Sequence, residues 1–172
     1  MEKWQIYIRE ALTQLTFAER CFCDFKIARD QEDVPSVFFH LHHFIVHITN
    51  VDKLLDPKST SPRAVYLANR VDVSGIDLKP IRRLRNHMEH FDERLDMWVA
   101  NYDGHPFFDM NIVTGAKGFP AKAFLRALDG DTFKFHGEDY PLNPLIISRF
   151  QDETKRGRVS AWHDHAGLIH SS

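Results

Sequence analysis

The stretch IRRLRNHMEHFDERLD, residues 81–96, decides how this chain is read. Its apolar side chains Ile81, Leu84, Met88, Phe91 and Leu95, with Trp98 just beyond, recur at intervals of 3, 4, 3, 4 and 3. That is the spacing of a helix with one buried side. Arg85, Asn86, His87, Glu89 and His90 crowd into little more than one turn of the same helix. Arg85 and His87 flank the apolar side, while Asn86 and His90, four apart, share the outward face. Arg82 and Arg83 add positive charge one turn earlier. One reading of this cluster is a solvated face carrying Arg85–Glu89 and Asn86–His90 pairs. Another is a working site.

Residues 34–55 hold a second cluster of the same kind. His40, His43, His47 and Asn50 are spaced 3, 4 and 3, which makes one polar stripe beside the apolar positions Val37, Phe38, Leu41, Phe44, Ile45, Ile48, Val51 and Leu55. Three imidazoles on one stripe point to a metal, to proton transfer or to half-buried rings bonded to other polar groups.

Around these two segments the chain predicts a mainly helical fold. Residues 2–29 keep helical apolar spacing from Trp4 to Phe25, and Asp33 with Pro35 reads as the cap and first turn of the 34–55 helix. DPKSTSP breaks the chain, a short helix over 62–71 follows, and DVSGIDLKP breaks it again before a fourth helix over 79–99. These four predict an antiparallel four-helix bundle over residues 1–101, with Trp4, Phe44, Leu84, Met88 and Phe91 buried. From 102 to 172 the texture changes to a small β-containing C-terminal extension. YDGHPFFDMNIVTG holds a short β-like run, and FLRALDGDTFKFHGEDYPL reads as strands separated at Asp129-Gly130 and His136-Gly137. Asn143-Pro144 opens a further predicted helix, and the tail carries His163 and His165.

The 172 residues fit one domain with an appendage, and a chain of this size buries roughly 70% of its unfolded surface. Fourteen phenylalanines supply a core. A net charge of −2 argues against a broadly cationic nucleic-acid binder and leaves room for a local basic groove. Cys21 and Cys23 point in different directions on a helix, so neither a mutual disulfide nor a zinc site is expected from them. No signal peptide or membrane-spanning run is read, so the expected location is cytoplasmic. Phosphate-binding, dinucleotide and nucleophile-elbow motifs are missing, so no cofactor is expected.

Arg85-Asn86-x-x-x-His90, late in a predicted bundle of about 100 residues, resembles the signature of the HEPN superfamily. That signature is an arginine, four to six residues and a histidine, often with a polar residue after the arginine. The resemblance covers residues 1–101. It implies a metal-independent ribonuclease or RNA-binding protein acting as a symmetric homodimer, of the kind found in toxin–antitoxin and defence systems. Arg85, His90 and Asn86 would be its catalytic residues. The imidazole would serve as acid or base on a ribose 2′-OH, and the guanidinium would take up charge on the phosphate. Arg82, Arg83, His43, His47 and His87 would contact substrate. On one straight helix Arg85 and His90 stand about 140° apart, so a symmetric partner or a long reach by the arginine is needed to join them.

A second reading is a metal-binding bundle, in which His40, His43 and His47 combine with His87 or His90. Metal-binding DinB-like bundles carry an H-x-x-x-H pair on their last helix; here the late pair is His87-x-x-His90, and His43 and His47 have that spacing on an earlier helix. A third reading is a non-catalytic module that binds a protein partner through the C-terminal extension.

Overall fold

Asp33 ends one helix and begins another. The backbone N–H of Asp33 donates to the Ala28 carbonyl at 2.9 Å, and that of Glu32 to the Arg29 carbonyl at 3.1 Å. This paired closure is satisfied by a residue in the left-handed region, here Glu32 at φ 56°. The Asp33 carboxylate then accepts the Ser36 N–H at 3.3 Å and its carbonyl accepts the Val37 N–H, capping the next helix. The two long helices thus form a hairpin, α1 (Lys3–Asp30) and α2 (Val34–Leu55), with the ends and the cap near where the sequence places them.

The computed structural model describes residues 3–55, 60–67, 77–115, 118–142 and 152. Among these residues the chain divides into two compact units. One holds residues up to Arg20 and those from Val46 to Leu78; the other holds Cys21–Ile45 and those from Lys79 to Leu142.

In the first unit, the early part of α1, the late part of α2 and α3 (Pro62–Leu67) bury Ile8, Ala11, Leu15, Ala18, Ile48, Val51, Leu55 and Leu67. The predicted helix over 62–71 is α3 up to Leu67, and its remainder lies outside the described residues.

The second unit joins helices to a sheet. Phe22 packs on Phe44 with ring centroids 5.0 Å apart, and Phe38 meets Phe133 edge-on at 5.9 Å. The predicted helix over 79–99 is two, α4 (Lys79–Glu89) and α5 (Phe91–Ala100), broken at His90, whose φ of −106° and ψ of 41° leave the helical region. No proline or glycine lies between Ile81 and Trp98, so no breaker announces the kink. Ile81 and Leu84 are buried, but no residue of α5 is. The expected burial holds for Phe44 and Leu84; Met88 and Phe91 are only half-buried, and the Trp4 side chain lies outside what is described.

The sheet has strand order β1 (Phe108–Val113), β2 (Phe124–Asp129), β3 (Thr132–Phe135) and β4 (Glu138–Pro141). β2, β3 and β4 are antiparallel neighbours joined by two-residue turns. In the second turn His136 and Gly137 both take positive φ, 50° and 80°, the pattern of a twisted hairpin turn. β1 runs parallel to β2, with Met110 at φ 51° where the register slips between Asp109 and Asn111. Phe124, Leu125, Ala127 and Leu128 are all buried, so β2 is covered on both faces.

Thus the fold is mainly helical with a four-stranded sheet in its C-terminal part. No helix among the described residues is long and apolar enough to cross a membrane. The helix expected after Asn143-Pro144 and the tail with His163 and His165 lie outside the described residues.

Candidate functional site

The break at His90 gives the two halves of the motif different surroundings. Arg85, on α4, is largely covered, pairs through Nη2 with Glu89, and leaves a buried Nε with no hydrogen bond among the described residues. His90, at the break, is half-exposed and has Glu93 at 3.4 Å from its Nδ1. Its backbone N–H still donates to the Asn86 carbonyl at 3.2 Å, so the turn holding Asn86 is intact. The Arg85–Glu89 pair is the one a solvated-face reading anticipates; an Asn86–His90 side-chain pair does not occur among the contacts of the described residues.

His87 lies on the other flank and turns towards the β3–β4 hairpin. Arg94 Nε, from the next helix, donates to His87 Nδ1 at 2.9 Å. That hydrogen bond makes Nδ1 an acceptor and puts the proton of the neutral ring on Nε2. Nε2 is buried without a hydrogen bond, and the nearest carboxylate oxygen, Glu138 Oε1, is 3.9 Å away. Glu138 is itself held by Arg83 and by the Tyr140 hydroxyl, which donates to Oε2 at 2.8 Å. The His136 ring stacks on His87 with centroids 6.5 Å apart and planes 17° apart, and its Nε2 is also buried and unbonded among the described residues.

The charges fit this geometry. Burial holds the His87 imidazole below its ordinary value; Glu138 opposes that less strongly, and Arg94, Arg83 and His136 reinforce it. Burial, followed by the hydrogen bond to Glu138, pushes the Tyr140 hydroxyl far above its ordinary value. The cluster therefore sits near neutral pH as a neutral imidazole and a neutral phenol beside the Glu138–Arg83 pair. A buried N–H without an acceptor costs about 1–3 kcal/mol. A closing motion of less than about 1 Å would bring His87 Nε2 within hydrogen-bond range of Glu138.

Of the residues that the sequence singles out, the structure brings Arg83 and His87 together at Glu138. Arg82, on the same helix, has partners of its own. On α2 the histidine stripe is dispersed. His43 Nδ1 bonds the Phe39 carbonyl at 2.8 Å, and His40 rests edge-on against the Phe39 ring. His47 Nδ1 donates to Gln14 Oε1 at 2.8 Å, and the Asn50 amide reaches the same oxygen at 3.3 Å. These are half-buried histidines serving as packing and hydrogen-bonding groups. Among the described residues no group of three or more His, Cys, Asp or Glu side chains could hold a metal ion, so His40, His43, His47, His87 and His90 do not assemble as a ligand set there.

The sequence reading missed Arg94, His136, Glu138 and Tyr140. The signal that could have found two of them is local: Glu138 and Tyr140 alternate on a short strand and share one face. Compared with family models, with curated proteins and with solved structures, the chain matches none, so the likeness to HEPN proteins rests on Arg85, Asn86 and His90 themselves.

Proposed function

We propose that this protein is a two-fold dimer that binds and cleaves RNA without a metal, with His90 and Arg85 as its reacting pair. The observation that carries the reading is the helix break at His90. It sets an imidazole half-exposed at a corner, one turn after Arg85 and Asn86, instead of along a continuous helix face. Imidazole both gives and accepts protons near neutral pH. In the reaction one His90 removes the ribose 2′-OH proton as that oxygen attacks phosphorus. The second copy, across the two-fold axis and protonated, gives its proton to the departing 5′-oxygen. The products are a 2′,3′-cyclic phosphate and a free 5′-hydroxyl, and the Arg85 guanidinium, released from Glu89, takes up the charge on the phosphoryl oxygens.

Two further features support this reading. α5 buries none of its residues, and it leaves the apolar side chains of Met97 and Val99, on different sides of the helix, 42% and 58% exposed, positions that a second copy would cover. The His87 cluster ties α4 to the hairpin, giving the motif a rigid base. The helical part would then be the antiparallel four-helix bundle that the resemblance implies, with the β-containing extension packed beside the motif.

The test is a digest of single-stranded RNA in excess chelator. Cleavage should persist there, and Arg85→Ala and His90→Ala should each lower its rate about 100- to 10,000-fold while the thermal unfolding midpoint hardly moves for His90→Ala. Loss of cleavage on chelation, or full activity in both variants, sinks the reading. RNA binding without cleavage would make the protein a binding module; neither activity, with a clean monomer at micromolar concentration, would favour a protein-interaction module.

A further inference from the structure

A cavity of about 250 Å³ lies within the second unit and is walled by the rings of Phe38, Phe91, Phe133 and Phe135. The rings are in sequence contact: Phe38 with Phe133 at 5.9 Å, Phe133 with Phe135 at 5.9 Å and Phe135 with Phe91 at 6.3 Å between centroids. An apolar cavity of about 150 Å³ holds one benzene ring. This one therefore has room for one or two fused rings, and is smaller than the roughly 300–1,000 Å³ of sites for drug-sized ligands.

Two polar side chains complete the wall, His42 and Arg126. Arg126 donates through Nε and Nη2 to the two carboxylate oxygens of Asp109, each at 2.7 Å, and its guanidinium lies 4.8 Å from the Phe91 ring centroid. Its Nη1 makes no hydrogen bond among the described residues. A slip between Phe108 and Asp109 sets Asp109 in register with Arg126, and a second at Met110 restores the offset, an example of a bulge aiming a side chain. His42 also makes no hydrogen bond among the described residues, and burial, with His43 adding to it, holds its imidazole below the ordinary value. A neutral imidazole offers one donor and one acceptor. Because Asp109 already balances Arg126, the cavity attracts neither an anion nor a cation. Its complement is a flat, uncharged ring with hydrogen-bonding edges.

We propose that this cavity receives one nucleobase of a single RNA strand, stacked on the half-buried Phe91 ring and bonded at its edge by His42 and Arg126 Nη1. Phe135 also lies 6.1 Å from the His87 ring, so an occupied cavity sits next to the α4 cluster. That the ring belongs to a strand rests on the RNA reading above; that the site takes such a ring rests on the cavity alone.

The experiment titrates the protein with adenosine, guanosine, cytidine and uridine, read by the resonances of the phenylalanine rings and His42. A six-nucleotide RNA is then compared with the same RNA lacking one base. At least one nucleoside should shift Phe91, Phe135 and His42, and the missing base should weaken binding of the strand about 5- to 150-fold. His42→Leu and Arg126→Lys, each checked for an intact unfolding transition, should weaken the nucleoside by about 10-fold, the scale of one lost hydrogen bond. If no nucleoside moves these rings at millimolar concentration, the proposal is overturned. If RNA is cleaved but neither substitution nor the missing base has any effect, the cavity is not the base site although the RNA reading survives. If nucleosides occupy the cavity and no RNA is bound or cleaved, the ring site stands and the RNA reading falls.

Discussion

Along α2, Val37, Leu41, Phe44, Ile45, Ile48 and Val51 are each at most 1% exposed, whereas α5 buries nothing although Phe91, Leu95 and Trp98 recur at the same helical spacing. Periodicity dictates which side chains share a helix face. How well that face is covered depends on what packs against it. α2 is closed by a three-residue turn that returns α1 to its side, and within the second unit the sheet adds Phe133 against Phe38. α5 carries Trp98 into an open cluster with Tyr102 and Phe107 at centroid distances of 5.5 and 4.7 Å, and both of those partners are about half exposed.

The contrast predicts unequal costs of truncation. Phe44→Ala should destabilise the protein by about 3–5 kcal/mol, since it empties a closed site, while Leu95→Ala should cost about 1 kcal/mol. Denaturant unfolding of the two variants measures this, and equal losses would mean that α5 is as well covered as α2. Covering of α5 by a second copy is sharpened by Met97→Glu combined with Val99→Glu. Sedimentation equilibrium should show self-association weakened by about 10-fold or more, with the far-ultraviolet circular dichroism unchanged. An association constant that does not move would place the dimer contact elsewhere.

A smaller effect comes from pH. The imidazoles of His87 and His42 are both held below their ordinary value in the folded chain, by burial above all. The unfolded chain therefore takes up protons that the folded chain refuses as pH falls through the ordinary imidazole value near 6.5. Their contribution to stability is complete above that pH and declines below it, down to the folded values. The unfolding midpoint should drop between pH 7.5 and 5.5, and His87→Leu should flatten that dependence. A midpoint that rises over the interval would contradict the assignment. The smallest expected change is a gain: Glu32→Gly removes a side chain from the left-handed turn that closes the α1–α2 hairpin and should stabilise by up to about 1 kcal/mol in denaturant titration. No gain there would show that Glu32 is held by interactions beyond the turn.

Much of the fold was legible wherever the signal was local. Asp33 announced its cap, the helical spacing marked α1 and α2 nearly to their ends, and Gly130 and Gly137 marked the hairpin turns. Two features were not. The break at His90 carries no glycine or proline, and the apolar spacing runs through it unaltered, so nothing within one turn of sequence signals it. The parallel pairing of β1 with β2 and the pair of compensating slips on either side of Asp109 do not follow from alternation within one strand. The site divides in the same way. Arg83 and His87 stand on a helix whose pattern is explicit, but Arg83 finds Glu138 55 positions later, and that meeting depends on how the hairpin packs.

The corner at His90 also changes how the helix opens. The amides of Phe91, Asp92 and Glu93 begin a new helix and so lack intrahelical acceptors, while those of His90 and Arg94 on either side are bonded to Asn86 and His90. In hydrogen–deuterium exchange this places a fast window of three amides in the middle of an otherwise slow segment. The Arg94–His87 hydrogen bond spans that window from one helix to the other. A bend opening there would turn about His90 and strain that tether, so the imidazole proposed to handle protons would also stand at the pivot between the two helices.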